Sequence, residues 1–580
     1  MKKKLMPVLV AAIFIIVVLL IVLSSALLKK YTPTKDRVDL DEYFNVSADD
    51  ESDMAVILDN VILEEGCKYI DGRVYMPYEL VNDKINQRFY WDYNENIMRY
   101  TTPDDVITVY AGSNEFSVSK KKESEEYIIV RVDGEQMYIA LDFLEKYTNI
   151  DYVVHEEPNR VMITKQWGEY KSASLKKKTE IRSKGGIKSP IVTDLEKGTV
   201  VTVLEENETW NKVITSDGFI GYLKNNKLGE IQTEVKANEF EEPEFTHLLK
   251  DEPVSLAWHQ VTTVEANAKV ADVLKDTKSI NVMSPTWFYL NDNEGNIKNL
   301  ASIDYVNYCH QNGIEVWALI SNLENPDASA KEVLSYTSKR DYLVNQIMSA
   351  AIEYDLDGIN VDFESLSSDT GDSYVQFIRE LSIKCRKNNI VLSVDNYVPT
   401  DYTAFYNRRE QAVFADYIII MAYDEHYRGS ETEGPVASIG FVRDGAENTL
   451  KEVPAEQIIL GMPFYTRVWE LTPNDGIGDD VESASEDYKP YTLTCTEVGM
   501  QGAEDLYTAN GAEKQWSKEA GQYYVEYENG GKTYKMWLED EDSIEEKCKV
   551  MKENNLAGAA YWKIGLERKA VWDTIVKYIN

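Results

Sequence analysis

The sequence predicts a multidomain chain that ends in an α/β domain, a (β/α)8 barrel, over residues 253–580. Eight short apolar stretches with strand character alternate there with amphipathic helical stretches such as 328–354 and 373–387. The interval between the seventh and eighth strands is too long for a loop and predicts an α/β insertion at about 470–550. Before residue 253, short strands punctuated by glycine predict a small all-β barrel and an α+β domain, and an apolar run predicts an N-terminal transmembrane helix.

The composition limits what the chain can bind. With 580 residues and a formal net charge of −38, the chain is too long for one domain and too acidic to favour nucleic acid or anionic polymers. Neutral glycans and cationic surfaces remain as partners. Its five cysteines lie far apart with no Cys-x-x-Cys pair, so they do not form a disulfide framework, and no histidine-rich motif predicts a metal or cofactor.

Residues 1–30 read as a membrane anchor. A lysine cluster precedes the apolar run 5–28, which at 1.5 Å per residue reaches about 36 Å and can cross a hydrocarbon core about 30 Å thick. Lysines before the run and an acidic chain after it favour a single-pass topology with the N-terminus inside and the catalytic part outside. Ser24-Ser25-Ala26 leaves open a cleaved signal peptide and secretion.

Residues 31–52 read as an acidic tether, and 53–166 carry a faint internal repeat. The two copies, 71–98 and 133–163, each alternate as a hairpin, a short helix and another hairpin. This pattern resembles the stalk domain at the N-terminus of some copper amine oxidases and of many bacterial surface proteins. The resemblance implies a spacer or wall-contact module and no copper chemistry, because the metal-binding part of those enzymes is a different domain.

Residues 170–231 contain five short strands with turn residues between them, which predict a small barrel. The pattern resembles the bacterial Src-homology-3-like (SH3-like) domain, a module associated with cell-wall peptides, and such a peptide is a possible partner. Trp210 and Tyr222 either line a ligand groove there or pack the core. Residues 232–252, rich in glutamate around Pro243, form an acidic linker.

The barrel domain places chemistry at the carboxyl ends of its strands, as barrels of this architecture do. The fourth strand candidate carries the most informative residues. The predicted strands lie at 254–259, 279–284, 314–320, 358–364, 390–396, 415–423, 457–463 and 557–564.

In the fourth strand two kinds of side chain alternate strictly. Asn360, Asp362 and Glu364 face one side, and apolar residues face the other, because side chains alternate with a period of two. Buried acids cost stability unless they are paired, hydrogen-bonded or neutralised, and close acids push their pKa values apart. Glu364, the outermost, is therefore placed to donate a proton. An exposed edge strand or a divalent-metal site built from the same acids is the alternative.

The stretch from Asp357 to Glu364 resembles the DGxDxDxE signature of glycoside hydrolase family 18, with Glu364 on the position of the catalytic acid. Asn360 departs from it, since the chitinases of the family usually carry Asp there, and this puts in doubt a pKa relay through a third carboxylate. The third strand, 314–320, lacks the SxGG of typical chitinases. The chain is therefore closer to the spore-cortex and cell-wall lytic N-acetylglucosaminidases.

The resemblance also assigns roles to residues. It implies that Asp362 holds the substrate's acetamido group and that Asn360 orients Asp362. Tyr423, in the family's M-x-Y-D motif, is implied to bond the acetamido group and Asp424 a sugar hydroxyl, while Trp562 forms an aromatic floor under the −1 sugar. The remaining substrate-binding candidates are Asp357, Tyr465, Arg467, Trp287 and Asn396.

The resemblance implies hydrolysis of β-1,4 bonds in glycans containing N-acetylglucosamine, with peptidoglycan as the expected substrate and without a cofactor. The family is an exception among retaining enzymes, because the substrate's own acetamido oxygen replaces the carboxylate nucleophile. Three alternatives remain open from the sequence: a chitinase, a glycan-binding surface protein without activity, and a scaffold in which the stalk and the small barrel matter most.

Overall fold

A computed structural model describes residues 2–47, 49–474 and 491–579, and the chain in it divides into two compact units. The first unit comprises 1–89, 109–116 and 122–242. The second comprises 90–108, 117–121 and 243–580 and contains the (β/α)8 barrel. Part of the predicted stalk segment thus belongs to the same unit as the barrel.

The N-terminal helix of the first unit spans Lys2–Tyr31. An 18-residue window within its stretch Met6–Tyr31 has a mean hydropathy of 3.4 and is not buried, so by length and composition the stretch can cross a membrane. A signal sequence meets the same description.

The predicted tether at 31–52 contains an ordered element. Leu40–Phe44 forms a short helix capped by Asp39, and Phe44 is fully buried in the core of the adjacent seven-stranded sheet. The phenolic oxygen of Tyr43 donates to the carbonyl of Ile220 at 2.6 Å. The sequence prediction treated this segment as a tether because of its acidic composition and overlooked Tyr43 and Phe44. Packing of these two aromatic side chains offsets the entropy cost of ordering the segment.

The segment 53–166 has the predicted order of elements: each copy is a hairpin, a short helix and a second hairpin. Whether it is a copper-amine-oxidase-type stalk remains a prediction. The strands are Asp53–Leu58, Val61–Ile62, Cys67–Ile70, Arg73–Pro77, Phe89–Asp92, Ile97–Thr101, Val106–Tyr110, Glu115–Val118, Lys121–Ser124, Val130–Asp133, Gln136–Ala140, Asp151–His155 and Arg160–Thr164; the helices are Tyr78–Leu80, Val81–Ile85 and Leu141–Glu145.

A seven-stranded sheet follows; in chain order its middle five strands match the number predicted for the small barrel, and in the sheet the other two lie side by side at one edge. The flanking strands Gly168–Ser174 and Gln232–Lys236 pair with each other, so part of the predicted linker 232–252 belongs to this sheet. Trp210 and Tyr222 lie half-buried outside its core. The middle strands are Thr179–Arg182, Ile191–Leu195, Val200–Glu205, Trp210–Thr215 and Ile220–Lys224, and a 3-10 turn spans Asn225–Lys227.

The predicted barrel is confirmed. Eight parallel strands pair in chain order, and the first pairs with the last to close the sheet. Side chains of alternate residues fill its interior, with Trp258, Trp317 and Tyr417 among the largest. The strands are β1 Val254–His259, β2 Val282–Leu290, β3 Glu315–Ser321, β4 Gly358–Asp362, β5 Val391–Tyr397, β6 Tyr417–Met421, β7 Ile458–Pro463 and β8 Gly558–Trp562.

Helices cover the outside of the barrel and bury the outward face of each strand. They are Val270–Leu274, Ile303–Gln311, Ala330–Leu334, Thr337–Glu353, Gly371–Lys387, Arg408–Phe414, Ile439–Thr449, Glu541–Glu553 and Val571–Ile579; 3-10 turns span Val264–Lys269, Ser368–Thr370, Asp401–Tyr406 and Ala455–Gln457, and the short strand Ile297–Asn299 pairs with β2.

The α/β insertion predicted at about 470–550 begins earlier, directly after β7. It forms a five-stranded sheet with its own small core and the helix Met500–Ala509. Residues 475–490 of the predicted range lie outside the described residues. The strands are Tyr465–Pro473, Tyr491–Gly499, Gln515–Ser517, Gln522–Asn529 and Lys532–Leu538.

Candidate active site

A cavity opens at the carboxyl ends of the barrel strands, where sequence reasoning expected the site. An adjoining hollow shares Asp362, Glu364 and Trp562 with it and extends the cleft past Glu324. The cavity is lined by Trp258, Asp362, Glu364, Asp395, Tyr397, Met421, Tyr423, Asp424 and Trp562.

Glu364 lies just beyond the end of its strand. The sequence predicted β4 through residue 364, but β4 ends at Asp362. The side chain of Asn322 replaces the missing pairing: its Nδ2 donates to the carbonyl of Glu364 at 2.9 Å, and its Oδ1 accepts from the Glu364 amide at 2.8 Å. The backbone of Glu364 is therefore fixed by a side chain from the neighbouring β3 loop.

The Glu364 carboxyl is held by Tyr397, whose hydroxyl donates to Oε2 at 2.8 Å. Burial raises the pKa of Glu364, the Tyr397 hydrogen bond opposes that rise, and the charges of Asp424 and Glu324 add to it. A carboxyl with a raised pKa can keep a proton near neutral pH, as a general acid requires.

Asp362 faces the cavity beside Glu364. Its Oδ1 is buried and makes no hydrogen bond with the described part of the chain. Burial first, and then the charges of Asp395 and Glu364, raise the pKa of Asp362 well above its ordinary value. Asp362 lines the cavity, so its carboxyl is placed to accept a hydrogen bond from a ligand, and its unsatisfied Oδ1 shows that the carboxyl has hydrogen-bonding capacity left over.

Asn360 is fully buried beneath Asp362 and makes four hydrogen bonds. Its Oδ1 accepts from Trp258 Nε1 at 2.9 Å and from Ser284 Oγ at 3.1 Å. Its Nδ2 donates to Asp395 Oδ1 at 2.8 Å and to Ser393 Oγ at 3.1 Å. Every hydrogen-bonding direction of the amide is thus used.

Tyr423 and Asp424 follow β6 and complete the polar wall. Tyr423 has room because residue 461 on β7 is glycine: a Cβ there would lie 2.7 Å from the Ile420 carbonyl oxygen and 3.2 Å from the Tyr423 ring. Asp424 has a φ of +61°, a left-handed conformation that non-glycine residues rarely adopt. Such strain is typical of functional sites, where the surroundings hold a side chain in place.

Tyr465 and Arg467 stand behind Asp424, on the first strand of the insertion. The Tyr465 hydroxyl hydrogen-bonds Asp424 Oδ1, and Arg467 Nη2 donates to the same oxygen at 2.8 Å. The structure therefore brings both residues to the edge of the site through Asp424.

Trp562 and Trp258 supply an aromatic surface of the cavity. Trp562 ends β8, and its ring meets that of Trp258 edge to face with centroids 5.9 Å apart. Trp258 is buried, whereas Trp562 is partly exposed to the cleft. The apolar face of a sugar ring can stack on such an exposed indole.

Three predicted substrate-binding residues lie away from the cavity and are corrected. Asp357 precedes β4 at the opposite end of the barrel, where it contacts His310 Nε2 and the amide of Val316, both at 2.8 Å.

Trp287 and Asn396 face outward. Trp287 is fully buried against the surrounding helices and donates to Asn267 Oδ1 at 2.8 Å. Asn396 donates to Gln411 Oε1 at 2.8 Å, on the outer side of β5. Neither side chain therefore reaches the cavity.

Sequence reasoning missed Asp395, Tyr397, Trp258 and Asn322. The register of β5 against β4, which the sequence does not contain, identifies the first two, because Ser393 pairs with Asn360 and therefore shares its inward face. Every second residue from Ser393 then points inward. Among residues 2–47, 49–474 and 491–579, no cluster of histidine, cysteine and acids is arranged to hold a metal ion.

Comparison with known proteins identifies two parts of the chain. Residues 241–567 match the family model of glycosyl hydrolases family 18, and residues 177–228 match that of the bacterial SH3 domain. The first match covers the barrel and its insertion, and the second covers the five predicted strands of the small barrel.

The chain is also similar to several bacterial proteins. It is 24% identical over 326 residues to the uncharacterized glycosylase YvbX of Bacillus subtilis, covering 52% of this chain and 88% of that protein. It is 28% identical over 267 residues to the cortical fragment-lytic enzyme of the same organism, covering 44% of this chain and 58% of that enzyme.

One solved structure has the same fold. It is the C-terminal domain of a chitinase candidate from Desulfitobacterium hafniense DCB-2, with a TM-score of 0.50 and 19% identity, covering 57% of this chain and all of that domain. At this identity the likeness concerns the fold alone.

Proposed function

The chain belongs to glycosyl hydrolases family 18 and is a glycoside hydrolase, and we propose that it cleaves β-1,4 bonds in glycans that contain N-acetylglucosamine. We take peptidoglycan as the substrate and the outer side of the cell membrane as its place of action. The observation that carries the proposal is that Glu364, Asp362 and Tyr423 line one cavity and that the Asp362 carboxyl there is not fully hydrogen-bonded.

The proposed reaction uses the substrate's own acetamido group. Glu364 gives its proton to the glycosidic oxygen as the bond from that oxygen to C1 breaks, and the acetamido oxygen of the −1 sugar bonds to C1. The Asp362 carboxylate accepts the acetamido N–H and offsets the positive charge of the resulting oxazolinium ring. Water then attacks C1 as the bond from C1 to the acetamido oxygen breaks, Glu364 takes the proton that the water loses, and the product keeps its configuration at C1.

The rest of the cavity suits a sugar in the −1 position. Trp562 offers an apolar surface under the ring, and Tyr423 stands where its hydroxyl can donate to the acetamido oxygen. Asp424, fixed by Tyr465 and Arg467, can accept from a sugar hydroxyl. These contacts require neither a metal nor a cofactor.

Peptidoglycan is favoured over chitin by the chain's relatives and by its accessory domain. One relative is named for acting on cortical fragments, and the bacterial SH3 domain offers a second place to contact the wall. In that domain Trp210 and Tyr222 are half-buried on one side of the sheet beside Gly185, where a peptide could lie between them. The apolar helix Met6–Tyr31 would hold the enzyme at the membrane that faces the wall.

The acetamido requirement tests the mechanism. The fragment from residue 31 is incubated with a fully N-acetylated chitin tetramer and with the same tetramer carrying free amines. We expect cleavage of the first only, with the β-anomer appearing first in the proton NMR spectrum. Equal cleavage of both tetramers, or release of the α-anomer, would contradict substrate assistance.

A further inference from the structure

Asn360 stands where the signature of glycoside hydrolase family 18 usually has an aspartate, so β4 of this chain carries one carboxylate fewer. The neighbouring strand β5 places a carboxylate, Asp395, at the same cavity. Asp395 on β5 is 2% exposed and lines the cavity together with Asp362 and Glu364. The register of β4 and β5 pairs Asn360 with Ser393, so that two residues further along, Asp395 lies level with Asp362 on the same inward face.

The hydrogen bonds of Asn360 fix which of its atoms faces Asp395. Trp258 Nε1 can only donate, so the atom it approaches at 2.9 Å must be the amide oxygen of Asn360. The amide nitrogen must then point to the other side, where it donates to Asp395 Oδ1 at 2.8 Å. A carboxylate at position 360 could not make this donation.

Asn360 and Asp395 are therefore complementary. An amide at 360 satisfies a donor from Trp258 on one side and a carboxylate on the other, with no hydrogen bond left unmade. An aspartate at 360 would instead place two buried carboxylates against each other. The amide at position 360, which departs from the family signature, and the acid on β5 therefore go together, because Asn360 donates the hydrogen bond that Asp395 accepts.

We propose that Asp395, held by the amide of Asn360, is the third carboxylate of this active site, a positioning residue whose negative charge, favoured by that amide, holds the catalytic proton on Glu364. This inference rests on the proposed function. It assigns to Asp395 the role that a carboxylate at position 360 would have in the family signature. Asp395 neither gives nor takes a proton in the reaction, and it acts on the substrate only through its two neighbours.

The surrounding groups support this assignment. The titratable side chains that face Asp395 are Asp362 and Glu364 from β4, Tyr423 from the end of β6 and Tyr374 from the helix outside β5. Burial raises the pKa of Asp395 well above its ordinary value, the hydrogen bond donated by Asn360 opposes that rise by favouring the charged form, and the charge of Glu364 adds to it. The charge of Asp395 in turn adds to burial in raising the pKa of Asp362, so Asp395 interacts with both acids that face the sugar.

An exchange of the two side chains tests the inference. Asp395→Asn keeps an oxygen for Asn360 and removes only the charge, while Asn360→Asp adds a charge without a donor between the two acids. The double variant Asn360→Asp/Asp395→Asn reverses the polarity of the pair and keeps the bond between the two side chains and those from Trp258 and Ser284, while Ser393 Oγ changes from acceptor to donor. Each variant and the wild type are assayed as the soluble chain from residue 31, on an aryl glycoside of di-N-acetylchitobiose across the pH range.

We expect each single variant to lower kcat about 10- to 100-fold with KM changed less than threefold. In Asp395→Asn the alkaline limb of the kcat profile moves to lower pH, because the negative charge that favours the protonated form of Glu364 has been removed. The double variant recovers kcat to within about threefold of wild type and restores the limb. Asp357→Asn removes a carboxyl at the opposite end of the barrel and should leave the limb in place.

Two results would overturn the inference. One is a folded Asp395→Asn enzyme, by thermal unfolding, with wild-type kcat and an unmoved alkaline limb. The other is a double variant that folds but is no more active than the single ones, since a merely structural role of Asp395 would give that result. If the wild type itself cleaves no N-acetylated glycan, the proposed function fails, and this inference fails with it.

Discussion

At the scale of single residues, opposing contacts set the acidity of Glu364. Burial and the charges of Asp424 and Glu324 raise its pKa, whereas the hydroxyl of Tyr397, 2.8 Å from Oε2, lowers it by favouring the carboxylate. With these opposing contacts, Glu364 can stay protonated near neutral pH and still give up its proton during the reaction.

Replacing Tyr397 with Phe should therefore raise the pKa of Glu364. A hydrogen bond to a charged group contributes roughly 1.5–3 kcal/mol, so losing it removes a contact that favours the carboxylate, and the pKa rises. The alkaline limb of the kcat/KM profile, which reports loss of the acid's proton, then moves to higher pH. This direction is opposite to that expected for Asp395→Asn.

Tyr374→Phe is the matched control for Tyr397→Phe. The Tyr374 hydroxyl is buried and makes no hydrogen bond with the described residues, so its loss should leave the limb where it is. A limb that moves to lower pH in Tyr397→Phe, or that does not move, would show that this hydroxyl does not act on Glu364.

The sequence identified the acids of β4 but not their partners. Strict alternation marked Asn360, Asp362 and Glu364 because their outward neighbours are all apolar. On β5 the polar residues Asp395 and Asn396 are adjacent, so alternation alone could not say which one faces inward. The register with β4 decided in favour of Asp395, and register is a tertiary fact that a single strand does not contain.

At the scale of elements, the second unit includes a hairpin from far upstream. Arg99, from the strand Ile97–Thr101, forms a bidentate ion pair with Asp341 at 2.6 and 2.8 Å and contacts Glu380 at 3.0 Å. Glu380 is buried and also bonds Arg340. Asp341 and Arg340 lie on the helix Thr337–Glu353 and Glu380 on Gly371–Lys387, the helices that flank the catalytic strand.

Removing Arg99 should destabilise the second unit. Arg99→Ala leaves the buried Glu380 with one guanidinium partner in place of two, and breaking a buried ion pair costs about 3–5 kcal/mol. Since Arg340 remains, we expect a loss near the lower end, about 3 kcal/mol, in the free energy of unfolding measured by denaturant titration. Lys331→Ala, which removes an exposed ion pair with Asp369, should leave it unchanged.

The stabilisation from this cluster should depend on pH. Burial alone would raise the pKa of Glu380, but Arg340 and Arg99 together lower it to about 2 from an ordinary 4.5. A depressed folded-state pKa contributes stability that is present above pH 4.5 and lost as the pH falls toward 2. The difference between Arg99→Ala and the wild type should therefore shrink across that window, and a difference that stays constant would contradict the assignment.

Elements were predicted well where the local pattern was strong. All eight barrel strands appear, within a few residues except for the second, which begins later and runs longer than predicted. The short helix Leu40–Phe44 was missed because its burial depends on Phe44 meeting a sheet formed by residues more than a hundred positions later. The sequence also did not predict that residues 90–101 belong to the second unit, because their contacts are with helices more than two hundred positions later.

At the scale of the whole molecule, the chain joins an apolar N-terminal helix, a first unit with a bacterial SH3 domain and a second unit with the catalytic barrel. A net charge of −38 keeps such a chain away from anionic polymers. We infer that the helix keeps the enzyme at the membrane, while the glycan itself is recognised by neutral contacts in the cleft.

Membrane anchoring predicts a definite fractionation. The full chain, expressed in a bacterial host, should stay in the membrane pellet after a carbonate wash and should be digested by protease added to the outside of the cells. The chain that begins at residue 31 serves as the unanchored control. Recovery of the full chain in soluble form, with an N-terminus beginning after Ala26, would show that the helix is a cleaved signal.

The most direct test of the central claim compares the wild type with Glu364→Gln on purified peptidoglycan and, separately, on chitin oligomers. We predict that the wild type releases fragments with N-acetylglucosamine at the reducing end, read by mass spectrometry. The variant, equally stable and still bound to the glycan, should be slower by about 10²–10⁴-fold. Equal activity of the two proteins, or retained binding without cleavage by the wild type, would contradict the assignment of Glu364 as the acid of a wall-lytic glycosidase.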